Sequence, residues 1–117
     1  MSNFAALNHE LSKLYKNIAG KGPKYLKSHA IENILIIKIN WYPEKIFESF
    51  DTQSGESIIK KAYKHIFTKW GEKAKGVIED ILGIKVSQFY YDENMALSDN
   101  EKIVIFLLEQ KLDSREI

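Results

Sequence analysis

No cysteine occurs among the 117 residues, which excludes disulfides, thiolate metal sites and a cysteine nucleophile and fits a reducing compartment. An excess of one charge sign is missing too. Lys and Arg number 17 against 16 Asp and Glu, for a formal charge of +1, so there is no overall basic bias of the kind that reports nucleic acid or an anionic membrane. Any such surface must be local. Long hydrophobic runs are also lacking: Ile34–Ile37 and Ile103–Leu108 fall far short of the roughly 20 residues of a membrane-spanning helix. The start, Met1-Ser2-Asn3-Phe4, has no basic segment leading into an apolar one, so a secretory signal is not expected. A cytoplasmic location with no integral membrane segment is the expectation.

What is present is the composition of a folded domain, 44% hydrophobic and 28% charged, far from that of a disordered chain. A chain of this length closes one core and is too short for two ordinary domains. A single domain over residues 1–117 is expected, with its core at about 4–109.

Phe4, Leu7, Leu11, Leu14, Tyr15 and Ile18 recur at three- and four-residue spacings, the stripe of an amphipathic helix from about Asn3 to Ala19. Gly20 suits the left-handed position that ends such a helix, and Pro23 forbids its continuation. Tyr25–Ile31 alternates, with Leu26 and Ala30 on one side and Lys27 and His29 on the other. The polar break Glu32-Asn33 and the run Ile34–Trp41 then complete a β-hairpin pattern. In that run Leu35, Ile37, Ile39 and Trp41 share one face, while Ile34 and Ile36 precede Lys38 and Asn40 on the other. Pro43 and Glu44 suit the first turn of a short helix reaching about Phe50.

From about Ser54 to Leu82 the ladder Ile58, Ala62, Ile66, Trp70, Ala74, Ile78, Leu82 predicts a long helix, ended by Gly83. Gly71 and Gly76 lie inside it at a cost of about 1 kcal/mol each relative to Ala, which leaves its continuity open. Ile84–Tyr91 and Lys102–Glu109 read as a second strand pair, separated by Asp92-Glu93-Asn94 and Ser98-Asp99-Asn100. The fold class expected is α+β: a mostly antiparallel sheet of about four strands in two hairpins, with an N-terminal helix and a long central helix. Strands apolar on both faces need cover from both sides. That cover could come from the N-terminal helix lying opposite the long one, or from a second subunit, so a homo-oligomer such as a homodimer is expected.

Residues able to carry chemistry are few. The loop Gly20-Lys21-Gly22-Pro23-Lys24 is glycine-rich and basic. However, it leaves a helix C-terminus, whose carbonyls repel anions, whereas phosphate loops lead into a helix N-terminus. His9, His29 and His65 lie on separate elements without ligand spacing, so no metal site is expected. Lys21, Lys24 and His29, with Asp92 at a strand end, form a weak candidate for binding an anion or a partner. The long helix has six lysines against two glutamates between Glu56 and Lys75. Lys60, Lys64 and Lys75 on its basic face would bind phosphates if the chain were a nucleic-acid-binding domain, although a solvated helix face explains them as well. Paired carboxylates adjacent in sequence do not supply an acid and a base in different environments, and no nucleophile elbow surrounds a serine. No catalytic residue and no cofactor are assigned.

Gly20-Lys21-Gly22-Pro23, the strand Ile34–Ile39 followed by Pro43-Glu44-Lys45, the Gly83-Ile84-Lys85-Val86 segment and Phe89-Tyr90-Tyr91-Asp92 together resemble the MpsC family, a domain of unknown function named after Na+-translocating, membrane-potential-generating systems. Order and spacing carry the resemblance, over about Leu7 to Glu109. It implies a prokaryotic cytoplasmic accessory protein, linked in some genomes to an ion or bicarbonate uptake system, and no established catalytic residues to transfer. The chain departs from the family pattern at Glu32-Asn33, where an acidic pair is usual, and at Tyr42, where a threonine is. The function expected is a non-enzymatic accessory or regulatory protein acting through protein contacts, its partner a membrane transport complex. The alternative is a nucleic-acid-binding domain using the long helix.

Overall fold

A computed structural model of the protein describes residues 3–40, 52–91 and 101–112, with backbone alone for 52–60. Helix α1 (Asn3–Ala19) is followed by strands β1 (Leu26–Ile31) and β2 (Ile34–Asn40), helix α2 (Thr52–Leu82), and strands β3 (Val86–Tyr91) and β4 (Glu101–Leu108). The strands form one antiparallel sheet in the order β1-β2-β4-β3. The fold is therefore α+β, with an N-terminal helix, a long helix and a four-stranded sheet. The short helix expected from Pro43, the turn at Asp92 and the polar cluster at Ser98 lie outside the described residues.

Both predicted helix stops are in place. Gly20 has φ +85° and Gly83 φ +68°, the left-handed region that glycine enters without a Cβ penalty. Each closes the last turn, Gly20 N–H donating to the Lys16 carbonyl at 2.8 Å and Gly83 N–H to that of Glu79 at 2.9 Å. Helix α2 runs unbroken through Gly71 and Gly76.

Register explains the layers. Leu26, Ser28 and Ala30 of β1 stand opposite Ile39, Ile37 and Leu35 of β2; these in turn face Lys102, Val104 and Phe106 of β4, and Phe106 faces Phe89 of β3. Strand period two puts all of them on one face, and that face carries the buried core. Helix α1 contributes Phe4, Leu7, Leu11 and Tyr15, and α2 contributes Tyr63, Phe67, Trp70, Ala74 and Ile78. The layers interlock through edge-to-face rings, Tyr15 on Phe67 at 6.0 Å between centroids and Trp70 on Phe106 at 5.9 Å. Trp70 Nε1–H donates to the Leu11 carbonyl of α1 at 3.1 Å.

This arrangement corrects one expectation. Helix α1 does not lie opposite α2: Ser28, on the core face of β1, hydrogen-bonds Asn8 of α1, and Tyr91, on the core face of β3, hydrogen-bonds Thr68 of α2 at 2.6 Å. Both helices therefore cover the same side of the sheet. The apolar stripe of α1 required burial, and the surface that met this requirement was α2 together with β1.

The two hairpins are tied end to end. Asn33, in the β1–β2 turn, accepts from Leu108 N–H at 2.8 Å and returns a bond from its Nδ2 to the Leu108 carbonyl at 3.1 Å. Its neighbour Glu32 has φ +56°, and its carbonyl receives Leu112 N–H at 3.0 Å.

Candidate functional site

With both helices on one side, the second face of the sheet is the distinctive surface. Period two assigns to it Lys27, His29 and Ile31 of β1, Ile34, Ile36 and Lys38 of β2, Ile103, Ile105 and Leu107 of β4, and Tyr90 of β3. An antiparallel sheet with one solvated face normally alternates apolar and polar residues. Here six of the ten outward residues are aliphatic, and Ile31 is 60% exposed, Tyr90 51% and Ile103 44%. Among the described residues, no helix packs on this face.

Charge is unevenly distributed over it. Lys27 stands directly opposite Lys38, a like-charged pair that repels, and Lys27 Nζ lies 5.1 Å from the Tyr25 ring centroid, where the ring's negative face attracts it. At the same end the Tyr25 hydroxyl donates to the Glu101 carboxylate. Asn40 is opposite Glu101 in the register; it is buried, and among the described residues its Oδ1 has no hydrogen-bond partner. The β1–β2 half is thus basic, and the β4–β3 half carries Glu101, Gln88 and Tyr90.

The residues singled out from sequence do not all meet. Lys21 and Lys24 are exposed in the loop between α1 and β1, while His29 is exposed on β1 opposite Ile36, within the open sheet face. Asp92 lies outside the described residues, and for Lys60 only the backbone is described. Lys64 is exposed. Lys75 is half-buried, its ammonium 5.3 Å from the Phe89 ring centroid, so one cation of the proposed helix stripe is directed onto an aromatic ring of the sheet. Ile31 and Ile103 were not singled out, and Tyr90 only as part of the family pattern and as an aromatic for stacking. Their signal was present, as apolar residues at outward-facing strand positions, but it is legible only once the side occupied by α1 is known. Among the described residues no group of three or more His, Asp or Glu side chains is assembled to hold a metal ion, and no helix is long and apolar enough to cross a membrane.

A family model described as Na+-translocating membrane potential-generating system (MpsC) matches residues 4–110. The chain belongs to the MpsC family. The match spans both helices and all four strands, so in this MpsC chain the open sheet face lies within the family domain. Comparison with curated proteins and with solved structures finds no match.

Proposed function

We propose that this MpsC chain is a non-enzymatic accessory module of a Na+-translocating, membrane-potential-generating system, working in the cytoplasm through protein–protein contacts made by its open sheet face. The observation that carries this reading is the aliphatic set Ile31, Ile34, Ile36, Ile103, Ile105 and Leu107 on the side of the sheet opposite the two described helices. Contiguous apolar surface of this kind marks interaction sites in soluble proteins. The family description supplies the system. Lys21 and Lys24 serve as charged contacts at the rim, where charges tune rate and specificity more than affinity, and His29 as a polar contact within the binding surface.

The test is capture of the tagged chain from membranes of its native host, with Ile103→Glu captured in parallel. The expected result is co-purification of a transport subunit with the wild type and its loss with the variant. Repeated capture of the wild type with no transport subunit would remove the reading. Binding of RNA or DNA at low salt, declining steeply as salt rises, would transfer it to the lysines of α2.

A further inference from the structure

We infer that the occupant of the open sheet face is a second copy of this chain, packed sheet to sheet about a two-fold axis that runs along the strands between β2 and β4. The inference deepens the reading of that face as a protein-binding surface and rests on it.

Shape is the first argument. Four strands about 4.8 Å apart, with outward residues about 7 Å apart along each, make a face roughly 19 by 20 Å, aliphatic along β2 and β4 and flanked by Ile31 on one side and Tyr90 on the other. A single partner helix, about 10 Å across, would cover the aliphatic middle and leave the flanking Ile31 and Tyr90 exposed. A strand added at the β1 or β3 edge would cover none. A second sheet of the same width covers it all, and sheets pack face to face about 10 Å apart with strands within about 30° of parallel.

Charge and residue matching give the second. The proposed axis lays the β1–β2 half of one copy on the β4–β3 half of the other. Ile34 and Ile36 then meet Leu107 and Ile105 of the second copy, and His29 comes over its Tyr90. Lys27 and Lys38, which repel each other within one chain, come to the end of the face where the second copy carries Glu101. An axis across the strands would not pair the basic half with the acidic one, since β1–β2 would then meet β1–β2. A two-fold interface must be self-complementary, and this face is so only in the first arrangement.

Area sets the strength. Two such faces bury on the order of 1,000 Å² in total, near the lower bound for a specific interface. The dimer is therefore expected to dissociate in the micromolar range rather than to be permanent.

The experiment is sedimentation equilibrium of the full-length purified chain from low micromolar to near-millimolar concentration, with circular dichroism on every sample. Wild type should pass from one chain mass to two. Ile103→Lys should raise the dissociation constant at least about a hundredfold, because the axis lays position 103 over Lys38 of the second copy, beside its Lys27, and so sets like charges against each other twice in each interface, while its spectrum and melting temperature stay near wild type. Should that variant fold poorly, Ile31→Glu, at the more exposed position, takes its place. Because the chain has no cysteine, a mixture of Ile36→Cys and Ile105→Cys chains reports orientation, and the expected product is the mixed disulfide in preference to either homodisulfide. A chain that stays monomeric throughout, with the face covered by its own residues or kept for another protein, overturns the inference. So does a dimer indifferent to Ile103→Lys and Ile31→Glu. A monomer that still captures a transport subunit sinks the second copy and leaves the accessory reading standing; a dimer that captures none does the reverse.

Discussion

Gly71 of α2 lies against the ring of Phe89 on β3 so closely that a Cβ at Gly71 would stand 2.3 Å from Phe89 Cε2. The ring has little freedom to retreat. It stacks on Phe106 with centroids 5.8 Å apart and on Tyr91 at 6.4 Å, and Lys75 approaches it from α2. Helix propensity alone favours Ala over Gly by about 1 kcal/mol, whereas overpacking a filled core costs about 1–3 kcal/mol. Gly71→Ala is therefore expected to destabilise the fold despite the better helix former. Urea unfolding checks it; a higher midpoint would mean that the ring moves aside freely.

Gly76, one turn and a half further along the same helix, is the matched control. It is exposed, and nothing lies within 4 Å of a Cβ built there. Gly76→Ala should stabilise by about 0.5–1 kcal/mol, through helix propensity and a less flexible unfolded chain. The opposite signs at two glycines five residues apart make the pair more telling than either alone.

Trp70→Phe removes the Nε1–H bond to the Leu11 carbonyl and leaves the indole's space partly empty. A loss of about 1–3 kcal/mol is expected from the buried hydrogen bond and the missing ring volume together. Thermal melting of the variant measures it, and an unchanged melting temperature would show that α1 is not held to α2 through this residue.

Asn33→Ala should cost about 1 kcal/mol by removing the Nδ2–H bond to the Leu108 carbonyl. Native-state hydrogen exchange separates this local effect from a global one. Faster exchange at the Leu108 amide, with little change in the middle of α2, is the expected pattern; uniform acceleration would contradict it.

The parts of the fold legible in sequence are those written in neighbouring residues. Gly20 and Gly83 announce their helix ends because the left-handed position is a local demand, and the alternation of Leu26, Ala30, Lys27 and His29 assigns each to its side of β1. The layer of α1 was not legible. A stripe such as Phe4, Leu7, Leu11, Tyr15 states that a helix is buried on one side, but says nothing about which surface buries it. Gly71 illustrates the same limit: in sequence it reads as a weak point of a helix, and in space it is where the Phe89 ring of the sheet lies against that helix. Of the candidate site, His29 could be assigned to a face, yet the exposure of Ile31, Tyr90 and Ile103 depends on both helices choosing the other side. Lys75 counted as one more basic residue until its distance to Phe89 was known.

The strand order β1-β2-β4-β3 has a consequence for how the chain reaches its native state. β4, the last described strand in sequence, occupies the slot beside β2, with Ile34 pairing Leu107 across most of the chain. Until it arrives, β2 has only β1 as a strand neighbour, and a lone hairpin is marginal in water. Sheet completion therefore waits for distant residues, which favours slow folding and leaves the apolar edge of β2 open to other chains meanwhile. A nascent chain stalled before Glu101 is expected to be the aggregation-prone form of this protein.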